Sequence, residues 1–428
     1  MIGESWRRLA RSRMFDIAAV MIAISAIVLW AVRIPPRWSD FDFNHYYVGS
    51  RILLQGQNPY TTPLKTMSQG LGFRYSEEYP IAGYPPSFLR LFEPLAALPP
   101  QVAFAVWVSI EIGCLVVILW LTHRLLAKEL SPRGWLFVVT LTICSRTVTY
   151  QLHYSQIQLL LAALVMAGYA AHRARRHGWA CLLVCIAGIL KFYPFILLPW
   201  FLWSDSGGMR SRLYRVLGVT VFVFASVVLT GPALWRDFLQ HGIPMAVGEE
   251  IGRNFHFSLP ALVTNLGYAY HDFHLSPATK QWWWLMGTVA GLLVIAGAYC
   301  VCVMTPRDPN TQFSLLCVAM LIGTVTVQGH YFVFLVFPLT VAAIRIAAKP
   351  TPARVVCLIL LVLAANCIDP PDLALLWQHP VLYFLVGDIP LYGLAGLGIF
   401  LCRELWGHRK PTPILDGGCG RPSASQIG

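Results

Sequence analysis

The sequence predicts an all-α integral membrane protein, a bundle of about twelve transmembrane segments with some short or broken. Three observations predict it. Hydrophobic residues make up 57% of the 428 and charged residues only 12%, about half the share of a soluble domain. The apolar stretches are long and unbroken, which selects helices over the alternating ten-residue pattern of a barrel. The lysines and arginines fall in short clusters between those stretches, so the net charge of +12 is a topology signal and not the footprint of a nucleic acid.

The segments follow in order. Residues 1–13 carry Arg7, Arg8, Arg11 and Arg13 and form a cytoplasmic amino-terminal segment. Met14 to about Ile34 is span one; its apolar run is too long for a signal peptide and no cleavage site follows. Residues 35–100 form an outer segment rich in proline and tyrosine, in which 44–56 reads as a short helix on the membrane surface. Span two (100–126) returns to Arg124 and Lys128. Spans three (135–150) and four (156–171) are joined by a turn at 151–155. The stretch 179–203 has basic flanks on both sides, so the chain must cross and return; a turn at Lys191-Phe192-Tyr193-Pro194 divides it into two helices too short to span alone. Such breaks persist only where protein or a wet cavity covers them.

Span seven (214–230) leads to a second outer segment, 231–280. Spans eight (282–304), nine (313–327) and ten (331–348) follow, then spans eleven (353–367) and twelve (382–402) around a third outer loop, 368–381, with Asp369, Asp372 and, further on, Asp388. These acids read as loop hydration. Trp235, Trp282, Trp283 and Trp284 read as an interfacial aromatic belt. The transmembrane domain is thus 14–402, and 403–428 is expected to be a disordered cytoplasmic tail. The eleven cysteines show no metal-type spacing, and no metal or cofactor is expected.

On this threading Asp40, Asp42, Lys191, Arg253, His256 and His330 all reach the outer side. Moving a sugar from a lipid phosphate to a hydroxyl needs a base for the acceptor proton and cations for the phosphate leaving group. Acids are few in this chain, and two sit one residue apart directly after span one. Asp42 and Asp40 are therefore the candidates for the base. Lys191, His330, Arg253 and His256 are the candidates for binding the donor phosphate. Tyr46, Tyr84, Gln156 and Asn254 are candidates for contacting acceptor or sugar. The other readings are structural: Asp42 as a helix cap, Lys191 snorkelling from a helix end, His330 as an interface residue.

The chain also resembles glycosyltransferase family 87, the polyprenyl-phosphate-mannose-dependent alpha-mannosyltransferases of the GT-C superfamily. The matching pieces are Asp42-Phe43-Asn44-His45-Tyr46-Tyr47, Gln55 to Tyr60, Tyr84-Pro85-Pro86, Glu93-Pro94-Leu95, Ser155-Gln156-Ile157-Gln158, Gly188-Ile189-Leu190-Lys191, Asn254 to Pro260 and Gly329-His330-Tyr331. The resemblance implies a GT-C-type fold and an inverting transfer, with an aspartate after span one as base. Asp42 fits that pattern best and Asp40 is its neighbour. Ser155 stands where the family usually has glycine. The implied donor is polyprenyl phosphate mannose, and the implied acceptor a glycolipid or lipid-linked glycan. The site would lie on the extracytoplasmic side of a bacterial plasma membrane, among membrane lipids and with no nucleic acid. An arabinosyl or glucosyl donor is the alternative within the enzyme class; outside it stand a transporter or flippase and a non-catalytic scaffold. The charges gather at loops instead of mid-membrane and no internal repeat is visible, which disfavours transport.

Overall fold

The computed structural model describes residues 13–38, 41–73, 81–204, 208–244, 256–271, 276–305, 308–366 and 378–407. Among them the regular elements are helices, and no strand occurs. In order they are α1 (Arg13–Arg33), α2 (Phe41–Leu54), α3 (Leu64–Gly70), α4 (Pro86–Ala96), α5 (Pro100–Leu126), α6 (Pro132–Ile143), α7 (Arg146–Tyr154), α8 (Gln158–Arg173), α9 (His177–Leu190) and α10 (Leu198–Trp203). Then come α11 (Met209–Thr230), α12 (Pro232–Asp237), α13 (Leu259–Tyr270), α14 (Pro277–Met304), α15 (Pro309–Gly323), α16 (Val336–Ala348), α17 (Pro352–Asn366), α18 (Pro380–Gly387) and α19 (Ile389–Gly407). Two 3-10 turns, Tyr193–Leu197 and Gly329–Leu335, precede α10 and α16.

The sequence punctuates these helices in a regular way. Proline opens α4, α5, α6, α13, α14 and α15, where its missing N–H would have no partner in any case. Ser131, Ser145, Ser258, Ser276 and Asp308 cap the helices that follow them by accepting a backbone N–H.

Among the described residues six elements are long and apolar enough to cross a membrane: α1, α5, α11, the 278–304 part of α14, the run Gly329–Ala348, and α19. Five shorter apolar helices accompany them, and α7 with α8 forms a bent pair with 118° between its arms. The long helices α1, α11 and α14 leave much apolar surface exposed, as lipid-facing helices do. The short ones fill the interior. α15 is buried along its whole length, between α14, α16 and α19. It packs on α14 at Gly291 and Gly323, where a Cβ on either residue would fall 2.7 Å from the other's carbonyl oxygen.

Several sequence expectations change. The segment 135–150 is not one span: α6 stops at Ile143, and Ser145 caps a new helix by accepting from the Val148 N–H. The helix near 44–56 exists as α2, but residues 43–50 are buried on every side, under α3, α4 and α5, so it does not lie on a surface. Trp235 is packed against Phe192 and Phe238 and donates to Thr230 Oγ1, so it belongs to the core and not to an aromatic belt. Asp388, expected to hydrate a loop, is buried between α18 and α19. Asp369 and Asp372 lie outside the described residues.

Candidate active site

Three helix breaks meet behind α2. The first is Lys191, whose extended backbone (φ −160°, ψ 122°) ends α9. Gly188, one turn earlier, is what lets the following 3-10 turn fold back closely: a Cβ there would meet the Phe195 ring at 2.6 Å. Ser87 Oγ donates to the Ile189 carbonyl (2.8 Å) and ties this end of α9 to the start of α4. The second break is the α7–α8 bend, where Ser155 adopts a left-handed backbone (φ 50°, ψ 46°). The third is the run 324–335, where α15 gives way to extended chain and a buried 3-10 turn. Phe257 N–H donates to the Val327 carbonyl (2.6 Å) and Ser258 Oγ to the Val325 carbonyl (3.0 Å), which seats His256 beside this third break.

Asp42 faces the convergence. Its side chain is half-buried, and protein surrounds it closely enough that burial pushes the carboxyl up to about 6. Lys191 opposes that rise by its charge, and Gln156 and Tyr84 by hydrogen bonds. The Tyr84 hydroxyl also lies 3.3 Å from Gln156 Oε1. Its ring is held in place because Tyr60 donates to the Tyr84 carbonyl (2.7 Å) and the Tyr46 ring meets it edge-on at 4.8 Å.

Lys191 Nζ sits over two aromatic rings, Tyr331 at 4.8 Å and Tyr84 at 5.3 Å, so its charge is steadied by π faces and not by a carboxylate alone. It lies within Coulombic reach of both Asp42 and His330, and His330 within reach of His256. His330 is buried, its ring 5.0 Å from Tyr331 and 6.4 Å from Tyr154, and its Nε2 has no hydrogen-bond partner among the described residues. Beside Asp42 on α2, burial pushes His45 down to about 4, so this imidazole is neutral near pH 7.

The structure thus brings together Asp42, Lys191, His330, His256, Tyr84 and Gln156, residues separated by up to 288 positions in the chain. Tyr46 stands behind them. It is fully buried in a ring cluster with Phe88, Phe92 and Trp107, so it forms a wall of the site and not a face open to sugar. Asp40, Arg253 and Asn254 lie outside the described residues. Among the described residues no group of three or more His, Cys, Asp or Glu is placed to hold a metal ion.

Sequence reasoning passes over two neighbours. Tyr331 supplies the nearer π face under Lys191, a role that its place beside His330 in the chain does not reveal. Glu111, fully buried in α5, accepts from Gln151 in the bend beside the site. The signal for it is present: a single acid inside a 27-residue apolar helix is costly there unless used.

No curated protein matches the chain. The sequence model of glycosyltransferase family 87 matches residues 83–338, which include Tyr84, Gln156, Lys191, His256 and His330. Asp42 precedes the match, and its place in the site is given by the geometry above. With more than half its length matched, on a polytopic helical bundle, the chain belongs to glycosyltransferase family 87 and is a membrane glycosyltransferase.

Proposed function

We propose that the protein transfers a mannosyl residue from polyprenyl phosphate mannose to a hydroxyl of a glycolipid or lipid-linked glycan, with inversion, on the extracytoplasmic face of a bacterial plasma membrane. The observation that carries this reading is the meeting of one carboxylate and three cationic or imidazole side chains at three helix breaks. Asp42 takes the acceptor proton as the hydroxyl oxygen attacks the anomeric carbon. The bond from that carbon to the phosphate oxygen breaks on the opposite side, and polyprenyl phosphate leaves with the electron pair. Lys191 and His330 hold the phosphate as its charge grows, with His256 behind them. A carboxyl near 6 suits a general base, being ionised at neutral pH yet basic enough to accept a proton.

Two grooves support a lipid-borne donor and acceptor. An apolar groove between α6, α16 and α17 is lined by Phe137, Leu141, Val148, Phe332, Leu339 and Val362, and it runs to the 3-10 turn that carries His330. Its lining suits a prenyl chain. On the other side of α7, a groove of about 960 Å³ runs along α1 past Ile22, Leu29 and Trp30 to Arg33, Tyr150 and His153. It gives a lipid-anchored acceptor a separate approach. The choice of mannose follows the resemblance to enzymes that use this donor.

The test uses purified protein, labelled polyprenyl phosphate mannose and a membrane glycolipid extract, with wild type and Asp42→Asn side by side. Transfer by wild type alone supports both donor and base. Transfer by both removes Asp42 as the base and turns attention to Asp40. Neither transfer nor donor binding removes mannose and leads to arabinosyl and glucosyl donors.

A further inference from the structure

Glu111 lies near the middle of α5, and no step of the proposed transfer uses it. Four residues before it on the same face is Trp107. Both reach the α7–α8 bend. Trp107 Nε1 donates to the Ser155 carbonyl at 2.9 Å, and Glu111 Oε1 accepts from Gln151 Nε2 at 2.6 Å. The second N–H of that amide donates to the Gln156 carbonyl. The bend thus hangs on one helix face at two points one turn apart. It needs such support, because a left-handed serine costs about 1–2 kcal/mol and persists only where its surroundings over-determine it. What the bend delivers is the Gln156 side chain, which donates to Asp42.

We propose that Glu111 is a positioning residue: through Gln151, and together with Trp107, it fixes the left-handed bend so that Gln156 faces Asp42. This rests on the reading of Asp42 as the base. The chain of contacts is Glu111 to Gln151, Gln151 to the Gln156 backbone, and the Gln156 amide to the carboxylate. A carboxyl oxygen suits the first link because it accepts the Gln151 N–H, and an amide oxygen in its place could do the same.

The groups that face Asp42 set what its titration reports. They are Tyr46 on α2 itself, Tyr84 from the 81–85 segment, Gln156 from the bend, and Lys191 from the end of α9, with the buried His45 three positions along α2. Beyond Lys191 lie His330 and Tyr331 on the 3-10 turn; Glu111 on α5 reaches Asp42's neighbourhood through Tyr46. Of these, Gln156 is the one whose placement depends on the clamp.

The experiment follows the protonated Asp42 carbonyl stretch by infrared difference between each protein and its own Asp42→Asn partner, from pH 4 to 8. It needs no substrate. The expected midpoint is about 6 in the unaltered protein. In Glu111→Ala it moves up by about one pH unit, as when a carboxylate loses one hydrogen bond. In Glu111→Gln, which keeps an acceptor oxygen for Gln151, it stays within about 0.3 unit of the unaltered value. Equal midpoints in the unaltered protein and Glu111→Ala overturn the proposal. If Glu111→Ala does not fold, Gln151→Leu and Trp107→Phe cut the same clamp from its other ends, and an unmoved midpoint in both overturns it too. Full transferase activity in Asp42→Asn removes Asp42 as the base without touching this result, so the two failures are told apart.

Discussion

The same interior helices carry a polar cluster at each end, and the two clusters are built on opposite principles. α8 runs from the Gln156 end to Arg173 over 16 residues, about 24 Å. At the Arg173 end, Asp308 caps α15 by accepting from the Thr311 N–H (3.2 Å) and takes Arg345 Nη2 at 2.7 Å. Glu129 stands 3.7 Å from the same guanidinium, and Asn310 Oδ1 accepts from Tyr169 (2.6 Å) and Arg173. There each acid meets a cation and each amide a donor. At the other end Asp42 carries a raised carboxyl, Lys191 lies on aromatic faces, and His330 Nε2 has no hydrogen-bond partner among the described residues. In the first cluster the charges are paired at contact distance; in the second Asp42 meets Lys191 through its charge and His330 Nε2 is left over, which is the capacity the proposed function assigns to a substrate. That difference separates a structural network from a site, and substitutions at the two ends test it.

The largest effect is expected for Asp42→Asn. Removing a general base lowers turnover by about 10²- to 10⁴-fold. The same change should stabilise the fold. An acid whose folded pKa is raised from 3.8 to about 6 disfavours the native state once it ionises. The penalty is absent below about pH 4, grows between 4 and 6, and reaches up to about 3 kcal/mol above that. Asp42→Asn should therefore melt higher than wild type at pH 7.5 and at the same temperature near pH 4, as read by thermal shift. A lower melting temperature at pH 7.5 would place Asp42 with the structural acids of the other end.

Next in size is Lys191→Met. It keeps the apolar stem between the tyrosine rings and removes the charge. kcat/KM should fall by about 10²- to 10³-fold, the usual loss for one group that holds a developing anion. The melting temperature should change little. The acid limb of the pH–rate profile should also move above 6, because the Lys191 charge holds the Asp42 carboxyl down. An unmoved limb would mean that Lys191 acts on the donor alone.

Asp308→Asn is the control from the opposite end. Its pair with Arg345 is partly exposed, so the loss should be about 1–3 kcal/mol, between the values for surface and fully buried pairs. kcat measured well below the melting temperature should stay within about twofold of wild type. A large fall in kcat would show that the two ends are coupled.

This contrast is partly legible in the sequence. Asp42 stands out because acids are scarce, and the Lys191 break follows from basic flanks on an apolar run of the wrong length for one crossing. What the chain order does not convey is rotation. Glu111 turns toward Gln151, 40 positions away, and nothing in an apolar stretch without a strong polar face indicates which way it points. The break at Ser145 is hidden for a different reason. No proline or glycine marks it, and the serine acts only because its hydroxyl accepts the Val148 N–H. Asp388 misleads because a charge between two spans reads as hydrated until packing shows it buried.

The smallest predicted effect sharpens the comparison most finely. Ser87 touches none of the proposed reacting groups; its hydroxyl donates to the Ile189 carbonyl, two residues before Lys191. That carbonyl is one of the last in α9, where the helix has run out of its own donors. Ser87→Ala leaves it buried with one bond fewer, at about 1 kcal/mol. If the site depends on Lys191 being held at the break, the substitution should raise KM for the donor about two- to fivefold and leave kcat near wild type, since the phosphate contact is loosened without losing its charge. Ser109→Ala removes a comparable serine hydrogen bond, to the Ala105 carbonyl within α5, on a helix surface away from the break. It should leave both constants unchanged. Equal effects from the two serines would mean that the break tolerates disorder and that the aromatic rings alone place the lysine.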